Sequence, residues 1–339
     1  MPELDVFWIF FVYFFLVAFL WPQIRQKMIQ NERLNYIRKI EAVTKSRVIT
    51  MIHRQERLTL FGIPFYRYID IEDSEQVLRA IRMTSPDMPI TLILHTPGGL
   101  VLAAAQIALA LKGHPAKKTV IVPHYAMSGG TLIALAADEI QMDRYAVLGP
   151  IDPQLSDQRM GAIPAVSIVK AVKQKGIEKA DDETLIKADV AEKAIKQLEE
   201  FVIELTEEKF GRHKAEELAK ALVHGTWTHD YPLTPKKLQE LGIPVKVGIP
   251  VEVYQLMELY PQASPMRPGV EFIPTPYYVP QTPQKKAENS TLISHFLRSK
   301  VFSFLTTIIE LKNYFRSLGR ALLITHGFAF VGIGRVAFR

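Results

Sequence analysis

From Val6 to Trp21 the chain reads VFWIFFVYFFLVAFLW, an apolar run without a charge. As a helix it spans about 24 Å at about 1.5 Å per residue. Leu4, Pro22 and the flanking aromatics Trp8 and Trp21 extend it toward the ~30 Å core of a bilayer. A cleaved signal would begin with positive charge and end in small residues. Here Glu3 and Asp5 precede the run and Trp-Pro closes it, so the pattern predicts an uncleaved anchor over residues 1–22. Residues 23–46 are polar and glycine-free, which predicts a helical stalk rather than a flexible linker.

The pattern changes at residue 47. RVITM and YIDI read as short strands, and Asp73 or Ser74 can cap a helix through Val77, Leu78, Ile81 and Met83. PITLILH is a nearly all-apolar strand of the kind buried on both faces. It runs into TPGG, a helix LVLAAAQIALALKG, a second buried strand TVIVP, a turn from His124 to Gly130, and an Ala-rich helix from Thr131. A further helix is expected over 189–210, ending at Gly211. Strands alternating with helices predict an α/β fold with a parallel sheet over residues 47–258, and function in such folds collects beyond the carboxyl ends of the strands. Both special turns, HTPGG and HYAMSGGT, fall there.

Residues 259–290 are Pro-rich without helical or strand period, which predicts an extended arm. Residues 291–339 return to helical spacing, with Leu292, Phe296, Phe304, Ile308 and Phe315 between Arg298, Lys300, Lys312 and Arg316. That is a basic amphipathic helix, suited to an anionic lipid surface or to packing in an oligomer.

Composition adds exclusions. With 48% hydrophobic and 22% charged residues in 339, wholesale disorder is excluded. Cysteine is absent, which excludes disulfides, Cys-ligated metal centres and a thiol nucleophile. The 41 basic against 35 acidic residues give a mild excess that gathers beside the hydrophobic ends. It points to lipid headgroups rather than nucleic acid. Arg25, Lys27, Arg33, Arg38 and Lys39 follow the anchor, so the positive-inside rule places the N-terminus outside and the main domain in the cytoplasm, as a single-pass protein of the cell membrane. No His-x-x-x-His pair with a third ligand occurs, so no metal site and no cofactor are expected.

The two turns admit two chemistries. Glycines before helices can cradle phosphate, but neither turn has P-loop or dinucleotide spacing. Alternatively, Ser128 lies between a strand and a helix, at the helix's positive end. It can present its hydroxyl to a carbonyl while the N–H groups of Gly98, Gly99 and Gly129 face the developing oxyanion. Ser128 can equally be a simple N-cap.

LHTPGG followed by AMSGGTLIALAADEIQMDRYAVLGPIDPQ resembles the serine dehydrogenase proteinases, a membrane-bound branch of the Clp-protease/crotonase superfamily related to signal peptide peptidase A. The resemblance covers roughly residues 41–250. It implies a spiral ββα superhelix, a peptide or protein substrate, a homo-oligomer, and a serine peptidase with Ser128 as nucleophile.

A serine needs a base. The Clp proteolytic subunit carries a histidine shortly after its serine-bearing helix; the corresponding LGPIDPQ holds Asp152, which could orient a lysine or bind the substrate amine but reads rather as a turn former. Signal peptide peptidase A uses a lysine before a long helix, and Gly176-Ile177-Glu178-Lys179 resembles its Gly-x-x-Lys segment. The resemblance therefore implies a Ser–Lys dyad with Lys179 as base and Lys187 as the alternative. His95 and His124 read as site-lining or structural, and His213, His224 and His229 as scattered. Two rival readings remain: a membrane scaffold of the same fold without catalysis, and an acyl-CoA enzyme using the same oxyanion turn.

Overall fold

A computed structural model describes residues 2–53, 58–60, 63–65, 68–157 and 161–260; within it the side chains of residues 2–7, 9, 10, 12, 13, 16, 17, 58–60 and 63–65 lie outside the description. The elements run α1 (Pro2–Thr44), β1 (Arg47–Ile52), β2 (Leu58–Leu60), β3 (Ile63–Phe65), α2 (Ile71–Arg82), β4 (Ile90–His95), α3 (Val101–Lys112), β5 (Lys118–Val122), β6 (Tyr125–Ala126) and α4 (Gly129–Ala136). There follow β7 (Glu139–Met142), β8 (Val147–Leu148), β9 (Gln154–Asp157), β10 (Gly161–Pro164), α5 (Ala165–Lys175), a 3₁₀ turn (Ile177–Lys179), α6 (Asp182–Phe210), α7 (Arg212–Val223), α8 (Pro235–Glu240), β11 (Val245–Val247) and α9 (Val251–Glu258).

The expected α/β fold with a parallel sheet is present. Five strands pair in the order β1-β4-β5-β7-β11, all in parallel. After β1, β4 and β5 the chain bends, makes a short pairing outside the five-stranded sheet, and enters a helix. Ile69 bridges Gly99, Thr96 bridges Ala126, β6 pairs with β8, and Leu148 bridges Leu233. This strand, short strand, helix repeat brings the turns after β4 and β5 side by side.

The nearly all-apolar sequence of β4 is explained by burial on both faces. Leu92 and Leu94 face a core built with α3, α4, α6 and α7. Ile93, with Ile121 of β5, faces a second cluster formed with Ile40, Val253 and Leu256 from α1 and α9. Each such fully buried side chain contributes about 1.5–3 kcal/mol. The sequence places a boundary at residue 46, but the last turns of α1 belong to this core: Ile40 is fully buried. Arg33 donates to the Leu259 carbonyl at 2.7 and 3.1 Å and lies 3.8 Å over the Tyr260 ring.

Counted over the described side chains, no helix is long and apolar enough to cross a membrane. The backbone of α1 continues through Val6–Trp21, where many side chains lie outside that count. The Pro-rich arm beyond Tyr260 and the basic C-terminal segment lie outside the described residues.

The long helix α6 begins at Asp182, capped by the Asp181 side chain on the Thr184 N–H, rather than at 189. Its far end supports the helix that follows Ser128. Lys209 donates to the carbonyls of Leu135, at 2.7 Å, and Ala137, at the C-terminal end of α4. Burial pushes the Lys209 ammonium down to about 8. Lys209→Met leaves both carbonyls unsatisfied and is expected to cost about 1–3 kcal/mol. Between pH 8 and about 10.4 the unfolded chain holds a proton at Lys209 that the folded chain has released, so stability rises with pH there. The gap between wild type and variant in urea unfolding should widen across that window; a gap that narrows contradicts the burial argument.

Candidate active site

Ser128 stands at the N-cap position of α4, yet its side chain makes no capping bond. Its backbone is at φ 50°, ψ −114°, and the Gly130 N–H closes on the Met127 carbonyl at 2.7 Å. These are the features of a type II′ turn with serine where glycine is usual. The cost is of order 1–3 kcal/mol. The bend lets the side chain line a cavity of about 170 Å³ instead of satisfying its own helix.

The glycine turn after β4 abuts this bend. A Cβ on Gly98, whose φ is +105°, would lie 2.9 Å from the Ser128 Cβ, and one on Gly99 would lie 2.3 Å from the Ile69 backbone. Only glycine permits both approaches. Ile69 donates to the Gly98 carbonyl and accepts from the Leu100 N–H, each at 2.8 Å. In that parallel bridge the Gly99 N–H points away from Ile69. Gly129 opens α4, so its N–H is among those with no carbonyl partner inside the helix. Gly99 and Gly129 both line the cavity. The Gly98 N–H instead donates to Thr96 Oγ1 at 3.2 Å, so Gly98 provides room rather than a free donor.

On the other wall the structure brings together two residues the sequence reading kept apart. Asp152, 2% exposed, accepts from His229 Nδ1 through Oδ1 at 2.8 Å and from Gln154 Nε2 through Oδ2 at 2.7 Å. A carboxylate only accepts, so Nδ1 carries the ring proton and Nε2 is left as the basic nitrogen. Ser128, Asp152 and His229 line the same cavity. Asp152 is thus a buried, paired carboxylate rather than a turn former.

Hydrogen bonds fasten these segments together. Thr131 of α4 bonds through Oγ1 with Gly149, accepting from its N–H at 3.0 Å. Leu148 and Leu233 exchange backbone bonds at 3.0 and 2.9 Å, and Trp227 stacks on Tyr231 within the loop that carries His229. Tyr68, Val101, Leu132, Ile151 and Leu198 give the cavity its apolar walls.

The lysines lie elsewhere. Lys179 is exposed on the 3₁₀ turn, outside the cavity lining. Lys187, inside α6, bonds Asp157 and Glu183 at 2.6 Å each. These partners push its ammonium upward, opposite to what a general base requires. Both lysines belong to an arm of α5, β9, β10 and the first half of α6, which has its own small core around Ile168, Val172 and Ala191. His95 is fully buried among the rings of His124 and Tyr125, and neither histidine lines the Ser128 cavity. A larger open depression, about 720 Å³, lined by Lys117, Glu139 and Lys246 among others, has no serine, threonine or cysteine in its lining.

His229 was missed because its partner lies 77 residues away in sequence. The available signal was Asp152 itself: a carboxylate between Ile151 and Pro153 in an apolar stretch needs a buried partner.

Residues 2–288 match the profile of the ClpP-like SDH-type serine proteinases. Uncharacterized protein MJ1495 of Methanocaldococcus jannaschii is 58% identical over 277 residues, 82% of this chain and 92% of the relative. Uncharacterized protein MJ0137 of the same organism is 58% identical over 271 residues, 80% and 92%. Among solved structures, a serine-to-alanine mutant of 1510-N membrane-bound stomatin-specific protease superposes with TM-score 0.38 at 20% identity, covering 57% of this chain and 79% of its own. A mutant ClpP1 from Listeria monocytogenes gives 0.40 at 16%, covering 62% and 96%.

Proposed function

Because this chain belongs to the ClpP-like SDH-type serine proteinases, we propose that Ser128 is the nucleophile of a peptidase and that His229, oriented by Asp152, is its general base. The observation that carries this reading is that the strained Ser128 bend and the His229–Asp152 pair line one cavity.

In the reaction, Ser128 Oγ attacks the scissile carbonyl carbon while His229 Nε2 takes the hydroxyl proton. The N–H groups of Gly99 and Gly129 hold the oxyanion. His229 then passes the proton to the leaving amine, and a water, deprotonated by the same nitrogen, releases the acyl chain from Ser128. The resemblance to signal peptide peptidase A argued for Lys179 or Lys187 as base; with one exposed and the other ion-paired, the histidine is the reading we carry forward.

The apolar walls suit a substrate with an apolar side chain beside the scissile bond. Tyr68, Leu100, Val101 and Leu102, each more than half exposed, extend that surface outward. The apolar run at residues 6–21 and its basic flank support an anchor in the cell membrane with the domain on the cytoplasmic side. The family resemblance supports a homo-oligomer.

Treating the purified full chain with a fluorophosphonate should label Ser128, mapped by peptide mass spectrometry. A chain that takes up no label under native conditions would defeat the peptidase reading and favour a scaffold.

A further inference from the structure

We propose that Asp73, His53 and Thr96 form a positioning chain that fixes the oxyanion turn; this rests on Ser128 acting as the nucleophile.

The chain follows from sheet register. In β1 and β4, Ile52 pairs with His95, and the His53 N–H continues the ladder to the His95 carbonyl at 2.7 Å. His53, 3% exposed, is thereby set beside Thr96. Its Nδ1 lies 3.0 Å from Thr96 Oγ1 and its Nε2 lies 3.2 Å from Asp73 Oδ2. The same Asp73 oxygen accepts the Asp70 N–H in the capping box of α2, which anchors the far end of the chain on a helix.

The donor directions are mutually consistent. A carboxylate only accepts, so Nε2 donates to Asp73. With Nε2 carrying the ring proton, Nδ1 accepts from the Thr96 hydroxyl at 3.0 Å, nearer than the Gly98 carbonyl that the same hydroxyl reaches at 3.4 Å. That leaves a Thr96 lone pair to accept the Gly98 N–H at 3.2 Å. The Gly98 N–H is thus committed away from substrate, and the peptide plane that follows presents Gly99 as the donor.

Thr96 also ties this turn to the serine bend. Its backbone accepts from the Met127 N–H at 3.0 Å and donates to the Tyr125 carbonyl at 3.2 Å. Its methyl occupies the space a Gly130 side chain would need, with 2.7 Å to that ideal Cβ. One residue therefore touches both halves of the site without lining it. His53 and Thr96 are positioning residues: they act through the Gly98–Gly99 backbone and not on substrate.

The test compares Thr96→Val, which keeps the shape and removes the hydroxyl, with Thr96→Ser, which keeps the hydroxyl. His53→Gln serves as the second break in the chain. Each full-length variant is inactivated with a fluorophosphonate, whose phosphoryl oxygen occupies the oxyanion site. The endpoint stoichiometry counts folded sites, while the first-order rate constant at saturating reagent reports positioning. The expected result is a rate constant lowered about tenfold in Thr96→Val, with full endpoint and unchanged half-saturation, and a value within twofold of wild type in Thr96→Ser. His53→Gln should fall about threefold or more. A Thr96→Val rate within twofold of wild type at full endpoint overturns the proposal. If that variant fails to fold, a wild-type rate in His53→Gln does the same. Wild type that does not label at all defeats the peptidase reading itself, and the positioning role with it.

Discussion

Replacing Ser128 by alanine should lower peptide hydrolysis by about 10⁴-fold or more and abolish fluorophosphonate labelling, with no loss of stability. The side chain makes no capping bond, so its removal orphans no helix N–H. The backbone strain at φ 50° persists in alanine, because it arises from Cβ and not from the hydroxyl. Ser128→Gly removes that strain. It should be equally inactive, yet more stable than the alanine variant by about 1 kcal/mol once the added freedom of the unfolded glycine is subtracted. Urea unfolding of the two variants measures the difference. A glycine variant less stable than the alanine one would mean that the bend is not strained, and hydrolysis surviving in Ser128→Ala would move the chemistry to another residue.

Breaking the His229–Asp152 pair should lower kcat by about 10³–10⁴-fold, whereas Lys179→Met should stay within about threefold of wild type. His229→Gln removes the basic nitrogen outright. Asp152→Asn retains the volume but replaces the acceptor that fixes Nδ1–H, so the ring turns or changes tautomer. Each should also slow labelling of Ser128, because phosphonylation needs the same proton acceptor. KM should change little, since His229 contributes one polar edge to a cavity whose walls are otherwise mostly apolar. The opposite pattern, a silent His229→Gln and an inactive Lys179→Met, would restore the lysine dyad and require the arm that bears Lys179 to close over the cavity.

The strand at PITLILH, the glycine turns and the serine were legible because local pattern dictates them. A nearly all-apolar strand needs two buried faces, which β4 has. A glycine pair between strand and helix marks a close approach, and at Gly98 that approach is to Ser128 itself. Local signals also set α3 and α8: Gly113 closes one and Thr234 caps the other. The long helix began seven residues earlier than expected because Asp181 caps it, an alternative within a segment rich in possible caps.

The sequence by itself singled out one hydroxyl between a strand and a helix and the glycine turns beside it, because strand, turn and helix signals are written in neighbouring residues; that Ser128 bends away from its own helix instead of capping it was decided by the fold. Only the tertiary structure decided what shares a cavity with that hydroxyl. His229 and Asp152 meet through the Leu148–Leu233 bridge, and His53 reaches Thr96 through the register of β1 on β4. Nothing along the chain encodes those distances: side chains far apart in sequence become neighbours through backbone pairing, and a lysine matching a motif by spacing can still be carried to the solvent side of an arm.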